Sequence, residues 1–370
     1  MSIEVFSGKR VLITGHTGFK GTWLTAWLHS VGAKICGISK DIPTSPSMFG
    51  ILNLEKDIEH HLFDICESER LNEVVRTFNP DFIFHLAAQA LVSVSYEDPI
   101  DTIKTNVLGT ASILQCLTEF QGNCTAIIIT SDKCYENVEW EWGYKETDRL
   151  GGKDIYSGSK GAAEIILHAY IESFLKNKTN IKIASARAGN VIGGGDWAKD
   201  RIVPDCIKSW LNNVPVTIRC PDATRPWQHV LEPLSGYLAL AVALSECTQS
   251  PSKLNHQAFN FGPKNEQNKT VLELISELAN RWGIEDQSDA FSIVERTPFH
   301  EAGLLKLNCD KAMFHLSWQP NLEYEECIDF VSDWYVEHYQ KESNMRDFTL
   351  LQIMRYQEYA NKRAIAWAQK

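Results

Sequence analysis

The feature that most restricts the fold of this 370-residue chain lies near its start. The apolar run Arg10, Val11, Leu12, Ile13, Thr14 leads directly into Gly15, Gly18 and Gly21, and then into a segment of helical period that reaches Leu28. Strand, glycine turn and helix in that order bring backbone amides and a helix N-terminus to one point, as a dinucleotide pyrophosphate requires. The spacing is G-x-x-G-x-x-G rather than the G-x-G-x-x-G of many dehydrogenases. A tight structural turn would give the same pattern; its place after the first strand of an alternating chain favours the cofactor.

That alternation is visible downstream. Apolar runs at Ile35 to Ile38, Phe82 to Leu86, Ala126 to Ile129 and Ile181 to Ala186 are separated by helix-like stretches, including Ile103 to Phe120 and Ser159 to Leu175. The expected class is α/β, a doubly wound parallel Rossmann-type sheet. After Gly189 the character changes: a Gly193 to Trp197 loop, a helix over Arg201 to Leu211, and short strands at Val216 to Arg219 and Ala258 to Gly262. Residues 1–190 are read as the NAD-binding domain, completed by parts of 228–262. Residues 191–340 form a smaller, interleaved α/β substrate-binding region, and 341–370 a helical extension packed on its own subunit.

A net charge of −11 and a pI near 5.5 argue against nucleic-acid or anionic-membrane partners. No apolar run is long enough for a membrane span. Ten cysteines without a C-x-x-C pair fit reduced thiols in the cytoplasm. No metal site is expected: H-E-x-x-H is absent, and His60-His61 reads as a solvated loop.

The chemistry centres on Thr130, Ser131, Asp132, Lys133, Cys134 and Tyr135, placed after an apolar strand and upstream of Tyr156 and Lys160. A tyrosine and a lysine four apart share one helix face, and a hydroxyl at the end of a strand can meet them across a bound alcohol. A phenol with a pKa of about 10 needs help to act as a base. Lys160 and an oxidised nicotinamide supply positive charge that favours phenolate. Asp132 and Lys133 add a second acid and amine, which simple alcohol oxidation does not need; an ion pair that only shapes the pocket is the alternative. At the second strand's end, Asp41 suits a ribose hydroxyl, while Ser39 and Lys40 suit a 2′-phosphate; NAD is preferred to NADP. Asp64 and Ile65 are placed near adenine, with a helix cap as Asp64's other reading.

With these residues the chain resembles the extended short-chain dehydrogenase/reductases, the nucleotide-sugar-modifying branch of that superfamily. Further segments agree: His85-Leu86-Ala87-Ala88-Gln89, Asn106 to Thr110, Arg187 to Gly193, and Glu301 through Pro320. The resemblance covers about residues 8 to 335. Within it the chain is most similar to the CDP-glucose 4,6-dehydratases, through Thr130 to Asn137, Gly193 to Trp197, Asp200 to Asp205 and Arg225 to Val230. Two departures are the weakly basic Leu91 to Glu97 stretch and Ile155 in place of a frequent proline.

The resemblance implies a lyase with NAD as cofactor. A hydride leaves carbon 4 of a nucleotide-linked glucose, water is eliminated across carbons 5 and 6, and the hydride returns to carbon 6. Tyr156 is the expected base with Lys160 its electrostatic partner, Ser131 a donor to the carbonyl oxygen, Asp132 the acid at carbon 6 and Lys133 the base at carbon 5. Gly15, Thr17, Gly18, Phe19, Gly21, Ser39, Asp41, Asp64, Ile65, Leu86, Ala87, Ala88, Gln89, Asn106, Tyr156 and Lys160 are expected at the cofactor. Gln89, Ser131, Asn190, Arg201, Arg219 and Arg225 are expected at the substrate, with Arg225 first on the diphosphate. Trp197 and Trp227 read as core aromatics before pocket walls. A homodimer or dimer of dimers, and a place in deoxysugar and lipopolysaccharide biosynthesis, are also implied. A nucleotide-sugar 4-epimerase or decarboxylase, or a non-catalytic dinucleotide sensor, are the competing readings.

Overall fold

The computed structural model describes residues 3–247, 253–264, 268–294 and 304–368. Glu301, at the start of one family-like segment, lies outside them. Strands β1 (Arg10–Thr14), β2 (Lys34–Ser39), β3 (Glu59–Leu62), β4 (Phe82–His85), β5 (Cys124–Ile129), β6 (Ile181–Ala188) and, much later, β9 (Ala258–Phe261) form a seven-stranded sheet. Its order is β3-β2-β1-β4-β5-β6-β9, and every pairing is parallel.

Helices cover both faces, so the inner strands are apolar without alternation. Val11 and Ile13 of β1 face a core shared with Trp23 and Trp27 of α1 (Phe19–Ser30), whereas Leu12 faces a second core with Cys36 and Ile83. The helices between strands are α2 (Met48–Ile51), α3 (Ser68–Phe78), α4 (Val92–Glu97), α5 (Pro99–Ile103), α6 (Gly109–Glu119) and α7 (Ile155–Tyr170). Short π-helical turns at Lys104–Leu108 and Ile171–Leu175 interrupt the two expected long helices.

Past β6 the chain builds α8 (Ile202–Leu211), β7 (Val216–Ile218) and β8 (Thr224–Pro226), then returns through the buried α9 (Leu231–Glu246) to place β9 beside β6. Strands β10 (Asn268–Thr270) and β11 (Phe291–Ile293) pair with β8 and β7. Helices α10 (Val271–Trp282), α11 (Gln287–Ala290), α12 (Asp310–Leu316), α13 (Tyr324–Gln340) and α14 (Met345–Lys362) complete the chain. Helix α14 packs against α1 and α13 of the same chain. Its Tyr356 hydroxyl donates to the buried Glu232 carboxylate at 2.9 Å. The backbone amides of Asn321 and Leu322 donate to the same carboxylate.

One expectation is corrected here. His60 and His61 lie in strand β3, not in a loop: they pair in register with Gly37 and Ile38 of β2. Strand pleating sends them to opposite faces. His60 meets His16 at 2.7 Å, and His61 meets Glu59 at 2.8 Å.

The turn after β1 allows no side chain at two of its glycines. Gly15 has φ +77°, and a Cβ there would lie 2.8 Å from the Ala87 amide nitrogen. A Cβ on Gly21 would lie 2.0 Å from the Gly15 carbonyl oxygen, so α1 approaches the end of β1 only because residue 21 is glycine. Gly21→Ala is expected to lose about 1–3 kcal/mol of stability through overpacking, read by denaturant unfolding, and to weaken dinucleotide binding in a titration.

Candidate active site

Because all the sheet strands run the same way, their C-terminal ends share one edge, and the reversal of order between β1 and β4 opens a crevice there. The predicted residues divide between strand ends and the loops that follow them. Helix α1 starts at Phe19 behind Gly18, which makes no side-chain cap. Its first-turn amides therefore carry the positive end of the helix dipole toward the crevice, a setting that suits a pyrophosphate. These residues fit a dinucleotide.

Several cofactor-side residues act first within the chain. The Ser39 hydroxyl accepts from the Thr17 amide at 3.2 Å and pairs with His16 Nδ1 at 2.9 Å, so it braces the glycine turn. Thr17 Oγ1 donates to the Asp41 carbonyl at 2.7 Å, leaving the exposed Asp41 carboxylate beyond the end of β2. Lys40 pairs with Asp101, not with the crevice. Asp64 accepts from the Cys66 amide and from Lys104 Nζ, which together hold its carboxyl below the usual range against the opposing effect of burial. It is a turn acid, not a helix cap: α3 begins after Glu67. Ile65 is buried against Gly109. The backbone of Leu86 and Ala87 lies over Gly15, with Ala88 following at the crevice edge.

Gln89 acts within its own loop: its Nε2 donates to the Leu91 carbonyl and Thr102 Oγ1, and its Oε1 accepts from the Leu91 amide, so its side chain shapes this loop. Asn106 ties the same loop to α7 by accepting from the Gln89 amide at 2.8 Å and donating to Ser159 Oγ at 2.8 Å.

The residues expected to be catalytic lie close together, on one turn and the helix facing it. Ser131, Asp132, Tyr156 and Lys160 are all less than one-tenth exposed. Ser131 caps a single 3-10 turn, Asp132–Cys134, accepting from the Lys133 amide at 3.3 Å. Its hydroxyl donates to Asp132 Oδ1 at 2.9 Å. Across the cleft, α7 is capped by Asp154, whose carboxylate accepts from the Ser157 amide, fixing the turn that presents Tyr156. Among the described residues Asp132 and Lys133 form no ion pair with each other, so the alternative of a pocket-shaping salt bridge is not what the fold builds.

Within the chain itself, burial dominates the charge balance at Tyr156. Burial, aided by the Asp132 charge, pushes its phenol up to about 12, while contact with the Ser131 hydroxyl and the charge of Arg201 act the other way. Lys160 Nζ stands 5.8 Å from the Tyr156 ring centre, and burial lowers its ammonium to about 8. The Arg201 charge lowers the phenol, but desolvation is the larger effect.

Lys20, in the first turn of α1, is a charged neighbour of Asp132 that sequence reasoning did not single out. Burial is the main reason its ammonium falls to about 7, with Arg201 and Lys160 adding repulsion and Asp132 opposing them. A lysine in the first turn of a helix aimed at a cofactor was the available signal. Gln228 is the other omission: both polar atoms of its amide are buried without a hydrogen-bond partner. A Cβ on Gly189 would sit 3.1 Å from Asp132 Oδ2 and 3.9 Å from Gln228 Nε2, so the amide faces the region of the Asp132 carboxylate.

The arginines separate. Arg201 pairs with Asp196 at 3.1 Å and projects its charge to Tyr156 and Lys20. Arg225 lies half-buried on β8, Arg219 is exposed just past β7, and Asn190 is exposed beyond β6. Trp197 and Trp227 are core residues whose indoles donate to Tyr339 and the Lys269 carbonyl. Cys36, Glu59 and His61 bring possible metal-ligating atoms within 4.8 Å of one another. Burial raises the Cys36 thiol and Glu59 is already paired with His61, an arrangement poorly prepared for a cation.

A glycine turn after the first strand of a parallel sheet, with serine, tyrosine and lysine on its crevice edge, defines an extended short-chain dehydrogenase/reductase. The family model described as GDP-mannose 4,6 dehydratase matches residues 12–331, and the chain belongs to this 4,6-dehydratase family. It is 45% identical to the CDP-glucose 4,6-dehydratase of Salmonella typhimurium over 335 residues, 89% of this chain and 91% of that protein. Among solved structures, the dTDP-glucose 4,6-dehydratase of Streptomyces venezuelae with NAD and TYD bound gives a TM-score of 0.74 at 19% identity, covering 90% of this chain and 98% of that one. The UDP-glucose 4-epimerase of Thermotoga maritima gives 0.75 at 21% identity, covering 89% and 99%. The two structural matches share the fold.

Lys160→Met is expected to lower kcat by roughly 10²-fold or more. In the parent protein, activity should fall as pH rises through about 8, where Lys160 loses its charge. A pH profile of kcat that keeps the same alkaline limb in Lys160→Met would reject this assignment.

Proposed function

We propose that this chain dehydrates CDP-glucose to CDP-4-keto-6-deoxyglucose with NAD as a resident cofactor. The observation that carries the reading is the single turn on which Ser131, Asp132 and Lys133 follow one another, set against Tyr156 and Lys160. The extensive identity to the Salmonella protein supports the nucleotide. An epimerase has no task for both Asp132 and Lys133.

Gly15, Gly18 and the N-terminus of α1 would hold NAD, which when bound would supply a hydride acceptor for carbon 4 and a hydride donor for carbon 6. Tyr156 takes the proton of the carbon-4 hydroxyl, and Lys160 supplies positive charge beside it. The resulting ketone acidifies carbon 5. Lys133 in its neutral form removes that proton, while Asp132 protonates the departing carbon-6 hydroxyl as water leaves. Lys133 then returns its proton to carbon 5.

Proton balance makes a further demand. At the end of one turnover Tyr156 holds one proton more and Asp132 one fewer. Ser131 contacts both: its hydroxyl donates to Asp132 Oδ1 at 2.9 Å, which leaves its oxygen to accept from the protonated Tyr156 phenol. Its hydroxyl is the direct route for resetting them.

Arg225 is assigned to the substrate diphosphate, with Arg201, Arg219 and Asn190 as further contacts, and Asp41 to the adenosine ribose. The division at residue 190 between dinucleotide and substrate halves belongs to the same reading. Its product serves deoxysugar and lipopolysaccharide biosynthesis. Ten free cysteines suit the cytoplasm. Exposed Ile100, Ile103, Leu108, Ile165 and Phe174 on and beside α5, α6 and α7 form an apolar surface for a second copy of this chain.

The deciding assay incubates the protein with NAD and with CDP-, UDP-, dTDP- and GDP-glucose, identifying products by mass and NMR. A CDP-linked product lighter by one water and carrying a 4-ketone is expected; inversion at carbon 4 without loss of water would overturn the proposal. Asp132→Asn and Lys133→Met should each lower dehydration by roughly 10²–10⁴-fold while leaving substrate affinity within a few-fold. Ile100→Asp with Leu108→Glu should shift the mass measured by light scattering to that of a monomer.

A further inference from the structure

The segment that carries Ser131, Asp132 and Lys133 is held at both ends by one buried pair of charges. At its start, Thr130 Oγ1 donates to Glu164 Oε1 at 2.5 Å. At its end, the Tyr135 hydroxyl accepts from Arg187 Nη1 at 2.8 Å and donates to Asn260 Oδ1 at 2.7 Å. Glu164 and Arg187 are themselves joined, Nη2 to Oε2 at 2.7 Å, with side chains 4% and 5% exposed. Ser185 Oγ adds a bond to Glu164 Oε2 at 3.0 Å. Burial opposes ionisation of Glu164, but Arg187 and these donors hold its carboxyl below the usual range.

The placement connects two parts of the site. Glu164 follows Lys160 by one helical turn on α7, so the carboxylate lies on the side of the helix that presents Tyr156 and Lys160. Arg187 comes from β6 and Asn260 from β9. Between the anchored ends, the turn is closed by backbone bonds from Cys134 to the Ser131 carbonyl and from Tyr135 to the Asp132 carbonyl. Stability does not account for this arrangement, since an apolar pair of equal volume is generally as stable as a buried ion pair. What the charges supply is direction: each hydrogen bond fixes one end of the segment relative to the helix opposite.

We propose that Glu164 and Arg187 are positioning residues that clamp the Thr130–Tyr135 segment, and that its two ends govern different steps. The Thr130 end sets Ser131 for chemistry at carbon 4. The Tyr135 end sets Asp132 and Lys133 over carbons 5 and 6. This rests on the dehydratase reading, because only that reaction uses both pairs of groups in turn. Misplacement by about 1 Å is enough to cost roughly 10²-fold in rate, so release of one end is expected to slow one step selectively.

The test compares Thr130→Val, Tyr135→Phe and Arg187→Lys with the parent protein in acid-quenched single turnovers of CDP-glucose with NAD. Thermal unfolding and substrate affinity are measured on each. Tyr135→Phe should form the 4-ketohexose at close to the parent rate but lose water roughly 10–100-fold more slowly, so that the 4-ketohexose accumulates. Arg187→Lys keeps a charge opposite Glu164 but lacks the planar fork that also reaches Tyr135, and should show the same selective defect. Thr130→Val should slow formation of the 4-ketohexose itself. Equal slowing of both steps in all variants, in proportion to lost thermal stability, would overturn the clamp and leave a structural pair. If the parent protein forms no dehydrated product, the dehydratase reading itself fails and the clamp with it.

Discussion

A parallel sheet delivers every strand's C-terminal end to the same edge, and the remainder of this molecule depends on that constraint. Gly15 follows β1, Ser39 ends β2, Asp64 follows β3, Leu86 follows β4, Ser131 follows β5 and Gly189 follows β6. Residues scattered over about half of the sequence thereby line one crevice without any of them needing to be near another along the chain. The glycine turn then sets how near the first helix can come. With Gly21 almost touching the Gly15 carbonyl, the amides of α1 are aimed at the crevice, and no larger residue could hold that approach.

Burial governs the chemistry of the crevice as much as charge does. Lys20, Lys160 and Arg201 all influence the neighbourhood of Asp132 and Tyr156, yet the phenol is raised and the two ammonium groups are lowered. Desolvation disfavours every charged form, of either sign, so the site is set toward neutral groups. The buried ion pair of Glu164 with Arg187 stands behind these groups, where its hydrogen bonds hold the segment in place.

Much of this was legible in the chain itself. Apolar runs bounded by helical periods gave the sheet strands β1, β2, β4, β5 and β6, because a strand buried on both faces needs an unbroken apolar run. The glycine turn, Ser131, Tyr156 and Lys160 were legible because their spacing follows from local geometry. Gln89 and Ser39 were legible as crevice residues, but the bonds their side chains make to neighbouring residues were not. His60 and His61 were misplaced because two polar residues on an edge strand resemble a loop in composition.

The sequence by itself determined the fold class, the glycine turn and the serine, tyrosine and lysine that face one another at the crevice, all of which depend on residue type and short spacing. Only the tertiary structure decided which residues stand behind them. Glu164 lies 34 residues from Thr130, and Tyr135 lies 52 from Arg187 and 125 from Asn260. Lys20 and Gln228 likewise acquire meaning from groups brought near by the return of the chain. No local periodicity carries such contacts, because their partners are fixed by strand order and crossover, and the protonation states of the site are fixed by how completely those crossovers exclude water.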